Sequence, residues 1–246
     1  FSPAYMPSDL YIVGSHDLGL DRLIPLMRGY KVKTIYVGSI GGIMSIKRGE
    51  ADIAGIHLVD SETMEYNIPF LKKYGVDNAY LIKGYMREQG IIVPKGNPHG
   101  IKDVRDIIEK NLRIVNRGRN TGTRILLDSI LREIAKEEGM AFDELVSRIR
   151  GYYYEAKTHT AVAAAIAQGR ADAGIGIRAA AHMYGLDFIT LGWERYDFLV
   201  QKARIGKEAV KAFLEILRSS EFAEILSSIP GYIVPKDIGE IIFPAL

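Results

Sequence analysis

The chain has 246 residues, a formal net charge of +2, 48% hydrophobic residues and 25% charged residues. That is ordinary globular composition, enough for one large domain or two lobes of about 100–130 residues each. It excludes thiol chemistry and a disulfide framework, because there is no cysteine, and no apolar run is long enough for a membrane-spanning helix. The charges are nearly balanced and form no long run of one sign, so a nucleic-acid surface is not indicated. The chain opens Phe1-Ser2-Pro3-Ala4-Tyr5, without an initiator methionine or a signal-peptide pattern. It is expected to be a fragment or processed product with a cytoplasmic location.

In chain order, Leu10 to Gly14 reads as a buried strand. Ser15-His16-Asp17 then leads into a helical pattern over Leu18 to Met27, which Pro25 should bend or shorten. Val32 to Val37 is a strand with Gly38 to Gly42 as its exit loop, and Ile43 to Arg48 a helix stopped by Gly49. Asp52 to Ile56 is a strand ending at His57; Met64 to Tyr74 is helical and Ala79 to Tyr85 a strand. Strands alternating with helices predict a largely parallel sheet flanked by helices.

The texture changes at Gly90 to Pro98, a strand followed by turn formers. A helix over Lys102 to Asn111 and a strand over Leu112 to Val115 lead to the loop Asn116 to Gly122. A long helix follows, Thr123 to Glu138, with Ile125, Leu126, Ile130, Leu131 and Ile134 as its apolar stripe. Phe142 to Ile149 is helical, Tyr152 to Tyr154 a strand, and Asp187 to Leu191 another. Two amphipathic helices, Lys207 to Leu217 and Phe222 to Ser227, form a tail that packs back on the first half. The expected lobes are 8–88 plus 192–246, and 89–191.

One unit occurs twice. Ile46, Gly49, Ala51 and Asp52 recur as Ile166, Gly169, Ala171 and Asp172, at one offset of 120 residues. Each copy reads strand, polar loop, short helix, Gly stop, strand, so the two copies predict similar lobes around one cleft. Asp52 and Asp172 open strands just after a stop, where a carboxylate holds a turn. A structural role is the better reading of both.

In open α/β sheets, ligands bind beyond the carboxyl ends of the strands, where helix N-termini present free N–H groups. The residues at those positions are Ser15 and His16; Gly38, Ser39, Gly41 and Gly42; His57; Asn116, Arg117, Thr121, Gly122, Thr123 and Arg124; Thr158, His159 and Thr160; and Glu194 with Tyr196. The set is rich in hydroxyl and cationic groups and poor in carboxylates, which suits a small anion. Asn116 to Arg124 is its strongest loop: glycines permit close backbone approach and arginine grips an oxyanion bidentately. It lacks the Gly-Lys-Ser/Thr ending of a phosphate-binding Walker loop. Ser15, His16 and Asp17 are hydrolase residue types, but sequence neighbours point apart and form no relay. His16, His57 and His159 share a sheet edge without a spacing that demands a metal.

The ordered strings GSHD, GSIGGIMSIKRGEADIAGIHLVD, GNPHGIKDV, VNRGRNTGTRILLD, THTAVAAAIAQGRADAGIGI and ERYDFLV resemble the periplasmic-binding-protein-like domain associated with molybdate and molybdopterin metabolism. The resemblance covers about Leu10 to Tyr232. It implies a type II solute-binding fold: two α/β lobes, each a mainly parallel sheet flanked by helices, joined by two crossover segments around a cleft. It also implies a ligand such as molybdate, tungstate or a molybdopterin-type anion. That domain occurs fused to molybdopterin-biosynthesis proteins of the MoeA type or to helix-turn-helix DNA-binding segments, so such a fusion partner is expected, with no nucleic-acid contact by the domain itself. By motif position, Ser15, Ser39, Thr121, Thr123, Arg124 and Thr158 would hold the ligand, with His57 and His159 as second donors. His16, Arg117, Gly122 and Tyr196 complete the expected site. Neither a cofactor nor a metal is expected. Three readings stand: a non-enzymatic binding module closing by hinge motion at 88–92 and 190–194, a cofactor-processing enzyme domain, and an interaction domain with an unused cleft.

Overall fold

A computed structural model describes residues 8–60, 62–119 and 121–244. The opening Phe1 to Tyr5, and Asn120 within the arginine-rich loop, lie outside the described residues.

The elements alternate as expected. β1 (Leu10–Gly14) is followed by α1 (Leu18–Leu23), which Asp17 caps by accepting from Leu20 N–H at 3.1 Å. Pro25 sits in a 3-10 turn, Ile24–Leu26, where its fixed φ is tolerated. β2 (Val32–Tyr36), α2 (Gly38–Lys47), β3 (Ile53–Ile56) and α3 (Ile68–Lys73) complete the first side. β4 (Ala79–Val93) leads to α4 (Val104–Glu109), β5 (Ile114–Arg117), α5 (Gly122–Glu137), α6 (Phe142–Ser147), β6 (Glu155–Ala156), α7 (His159–Ala167), β7 (Ala173–Ile177) and α8 (Arg178–Met183). The chain returns through β8 (Asp187–Gln201) to α9 (Glu208–Leu217), α10 (Ser220–Ser227), β9 (Tyr232–Ile233) and β10 (Ile241–Phe243).

The strands form one mixed sheet in the order β2-β1-β3-β8-β4-β7-β5-β6, with β9 and β10 pairing β4. The two parallel groups, β2-β1-β3 and β7-β5-β6, are therefore not separate sheets. They are joined through β4 and β8, antiparallel to each other and each 15 residues long. The strands expected at Ala79–Tyr85 and Gly90–Val93 are one element, as are Asp187–Leu191 and the run that follows it. The expected lobe boundaries fall inside these two strands. Their pairing slips between Gln89 and Gly90, within the segments expected to hinge.

Four other expectations change. The segment Gly38–Gly42 is the first turn of α2, not a loop. Gly42 sits there because a Cβ would come within 2.8 Å of Gly14 Cα, so the helix can lie against β1 only without a side chain. α3 starts only at Ile68, because Met64 and Asn67 have positive φ and turn the backbone first. Tyr152 to Tyr154 form a turn, with strand pairing only at Glu155–Ala156; Tyr152 is core and Tyr153 is exposed. The buried stripe of α5 is Leu127, Leu131, Ile134 and Ala135, one step round from the expected one.

One core packs Leu10, Ile12, Leu20 and Phe198 against Val210, Phe213, Phe222 and Leu226, so the tail helices do cover the first side. A second core, including Ile91, Ile107, Leu131 and Ile175, lies under α4, α5 and α6. Among the described residues, no helix is long and apolar enough to cross a membrane.

Candidate functional site

The two sides of the sheet present their strand ends and helix starts to each other. From the first side come Ser15 and His16 after β1, Ser39 in the first turn of α2, and His57 after β3. From the other come Arg117 at the end of β5, Thr123 in the first turn of α5, and His159 opening α7. All seven are buried, His159 completely. The sides touch: a Cβ on Gly122 would lie 2.1 Å from the His57 carbonyl oxygen and 2.5 Å from its Nδ1. The ring centroid of His159 is 6.1 Å from that of His16 and 6.3 Å from that of His57. This is a closed arrangement around one buried polar cluster.

On the first side the cluster is wired. Ser15 Oγ and His57 Nε2 are 2.8 Å apart, and His57 Nδ1 lies 2.8 Å from Glu194 Oε2 on β8. His57 N–H donates to Ser39 Oγ at 3.1 Å, and the Tyr196 hydroxyl donates to the Ser15 carbonyl at 2.7 Å. Arg87 on β4 bridges two carboxylates, donating through Nη2 to Glu194 Oε1 and through Nη1 to Asp17 Oδ1 at 2.7 Å. Tyr85 and Tyr232 also donate to Asp17. Asp17, Arg87 and Glu194 are buried, so each charge depends on the others for compensation.

Burial alone would raise both carboxylates. Arg87, together with the Tyr232 and Tyr85 hydroxyls at Asp17 and with His57 at Glu194, outweighs it and holds both carboxyls below the usual carboxylate range. Burial pushes the His57 imidazole down, with Arg87 and Arg117 adding to it against the pull of Glu194. Burial, Arg117 and Arg87 push His159 well down, and both rings are neutral. Burial and Arg87 lower Arg117 to about 10, which leaves it charged at neutral pH. The buried charges nearest the cluster, Asp17 and Glu194 against Arg87 and Arg117, therefore cancel.

On the other side the donors lack partners. Among the described residues, Arg117 Nε and Nη1, Thr123 Oγ1 and both ring nitrogens of His159 are buried with no protein hydrogen bond, and on the first side so are His16 Nδ1 and Arg87 Nε. Buried polar groups are nearly always paired, so a concentration of unpaired ones around a single cluster marks where a ligand belongs.

The expected site residues divide. Ser15, His16, Ser39, His57, Arg117, Gly122, Thr123 and His159 come together. Tyr196 stands behind Ser15, its hydroxyl already donated. Arg124 is a correction: its guanidinium turns to the far side of α5, onto Asp128 at 3.0 Å, Glu155 at 3.2 Å and the face of Tyr152. Thr123 and Arg124 are adjacent on a helix, so only one faces the cluster. Thr121 and Thr158 are corrected too, because each caps its own helix, accepting from Arg124 N–H and Ala161 N–H. Asp52 accepts from Tyr11 N–H and pairs with Arg204; Asp172 accepts from Arg113 N–H and pairs with the same arginine. Both are structural. Sequence reasoning missed Asp17 and Arg87, and missed that the serine relay runs Ser15–His57–Glu194 through residues far apart in sequence. Arg87 carried little local signal, because it sits in a polar stretch of β4 beside Glu88 and Gln89. Among the described residues, no group of three or more His, Cys, Asp or Glu is placed to hold a metal ion.

YvgK of Bacillus subtilis (strain 168) is 36% identical over 198 residues, which are 80% of this chain; the chain spans only 61% of the length of that relative. The sulfate-binding protein SubI from Mycobacterium tuberculosis H37Rv matches with a TM-score of 0.63 over 92% of this chain and 86% of its own, at 16% identity. The tungstate ABC transporter from Geobacter sulfurreducens matches with a TM-score of 0.59 over 89% and 97%, at 15% identity. At such identities the shared property is the fold, a two-lobed solute-binding architecture. A sequence profile of the PBP superfamily domain matches residues 21–218, and the chain belongs to that family.

Proposed function

We propose that this chain is a binding module whose two sides close on a small tetrahedral oxyanion of the molybdate, tungstate or sulfate class. The observation that carries the reading is the set of buried N–H and O–H groups of Arg117, Thr123 and His159 that have no partner among the described residues, gathered at one cluster. Such groups are costly to bury unpaired and well matched to oxyanion oxygens. The N-termini of α2, α5 and α7 converge there too, each worth about half a positive charge. Neighbours named for sulfate and tungstate give the fold precedent. Assignment to molybdenum metabolism, as sensor or binding module alongside a fused partner domain, rests on the sequence resemblance. The hinge is the register slip of β4 against β8 at Gln89–Gly90.

A thermal-shift series with molybdate, tungstate, sulfate and phosphate tests this. A ligand held only by the folded protein raises the melting temperature, by about 2.7 kcal/mol of stability at a hundredfold excess over Kd. No shift with any of these anions at millimolar concentration sinks the reading.

One observation favours a second reading. Ser15, His57 and Glu194 have the spacing of a nucleophile, its base and the orienting carboxylate. An acyl-transfer enzyme would attack an ester carbonyl with Ser15 Oγ, passing the proton through His57 Nε2 to the leaving alcohol. Incubation with an activated acetate ester should then acetylate Ser15, read by peptide mass. An unmodified Ser15 without turnover ends that alternative.

A further inference from the structure

We propose that the protein takes up its anion together with one proton, which lodges on His57 and turns the Ser15 hydroxyl from His57 toward the ligand. The inference rests on the anion-binding reading. It names Glu194, outside the ligand shell, as the positioning residue that sets this behaviour.

The argument starts from which atoms carry protons. Glu194 is clamped by Arg87 and ionised, so it only accepts; His57 Nδ1, 2.8 Å away, must therefore carry the ring proton. In the neutral ring Nε2 is then a lone pair. Ser15 Oγ, 2.8 Å from Nε2, has to donate to it. A serine has one hydroxyl proton. With that proton directed at His57, Ser15 presents only lone pairs to the cluster, and an oxyanion would meet oxygen facing oxygen.

A proton on Nε2 reverses this. The imidazolium donates to Ser15 Oγ, and the freed hydroxyl proton rotates toward the anion. The same proton adds a positive charge where Asp17, Glu194, Arg87 and Arg117 cancel. The groups facing His57 are Glu194 and Tyr196 from β8, Arg87 from β4, Arg117 from β5 and His159 from α7. Without an anion the two arginines and burial keep the ring neutral; a bound dianion pulls the other way. His159 is the competing acceptor. Among the described residues it has no carboxylate beside it, and it stands under Arg117 and Arg87, so the proton goes to the ring that Glu194 supports.

Glu194→Gln separates the possibilities. Arg87 keeps the amide oxygen, because a guanidinium only donates, and the amide N–H then faces His57 Nδ1. The neutral ring is forced into the Nε2–H form, and Ser15 is free to donate to a ligand without a proton being taken up.

The experiment is calorimetric titration of the wild-type chain with sulfate and with tungstate in pairs of buffers of different ionisation heat, at mildly alkaline pH. Both anions are fully deprotonated there, so any proton taken up goes to the protein. We expect uptake of about one proton per site and an affinity that weakens about tenfold per pH unit in that range. E194Q should bind with uptake near zero and a flat pH profile, while His159→Gln keeps the uptake. Binding without proton uptake by the wild type overturns this inference and leaves the binding reading standing; absence of binding by every anion overturns both. Uptake that persists in E194Q and vanishes in H159Q moves the proton to His159 and also overturns it. If E194Q does not fold, ring nitrogen shifts of His57 in the wild type decide: Nδ1–H alone when free, and both nitrogens protonated at saturation. A ring that stays neutral at saturation refutes the proposal.

Discussion

The two copies of the repeated unit start alike and end with opposite roles. In the first, Ser39 lies in the first turn of α2 and accepts from the backbone N–H of His57, joining a chain that runs through Glu194 and Arg87 to Asp17. In the second, Thr158 caps its own helix, and the next residue, His159, is left buried with neither nitrogen paired. The first wall is thus wired internally and held in place by ion pairs, with only His16 Nδ1 and Arg87 Nε left over, whereas on the other Arg117, Thr123 and His159 hold buried polar groups with no partner among the described residues. A satisfied wall contributes to stability and geometry. An unsatisfied one costs stability and is repaid only when something binds. Substitutions on the two walls should therefore move stability and binding in different proportions.

The largest effect is expected at Arg87. Arg87→Met keeps much of the volume but leaves Asp17 and Glu194 as buried carboxylates without a counter-charge, which costs about 3–5 kcal/mol of folding stability in urea titration. The pH dependence sharpens the point. Asp17 and Glu194 have folded values below their unfolded ones, so their stabilisation is present above the unfolded value, about 4, and is lost as pH falls through the folded values. In R87M burial would raise both carboxyls above their unfolded values, so this acid-side loss should vanish and the variant should regain stability as pH falls and the carboxyls protonate. In the wild type the histidines add to the acid-side loss earlier: His57 and His159 are depressed, so wild-type stability declines as pH drops below about 6.5, where the unfolded chain protonates first. A wild type equally stable from neutral pH down to the carboxylate range would contradict the burial of these rings.

Across the cluster, Arg117→Met should do the reverse. The Arg117 side chain makes a single long hydrogen bond, Nη2 to the Lys157 carbonyl at 3.3 Å, and no ion pair among the described residues. Its loss should leave the urea midpoint unchanged or raised. Anion affinity should fall by about 1.5–3 kcal/mol, roughly 10- to 150-fold, the worth of a hydrogen bond to a charged group. If R117M instead unfolds the protein, the contrast between the walls is wrong.

How much of this the sequence revealed follows the same division. Ser15, Ser39, His57, Arg117, Thr123 and His159 sit where a strand ends or a helix begins, positions that local pattern marks. Arg87 and Glu194 lie in the middle of two 15-residue strands, and only their pairing across the sheet brings them to His57. Register of that kind is a long-range property that local pattern does not encode. Arg124 and Thr121 went astray for a finer reason: at a helix start each residue turns about a quarter of the way round, so loop composition cannot say which side chain faces inward. Gly41 and Gly42 read as a loop because glycine disfavours helix, yet the close approach of α2 to β1 required a residue without Cβ and overrode that propensity.

The smallest effect makes the cleanest test. Thr123 Oγ1 is buried at the start of α5 without a partner among the described residues. Thr123→Val keeps the branched shape and replaces the hydroxyl by a methyl, so the unbound protein loses a stranded polar atom and should gain about 1 kcal/mol in stability. The same change removes one donor to the anion and should weaken binding by about 2- to 10-fold. Few core substitutions stabilise a protein while weakening its function; that signature arises when a group was buried for a ligand and not for the fold. Stability and affinity falling together in T123V would mean the hydroxyl has a protein partner after all, and that the far wall is not the ligand-facing one.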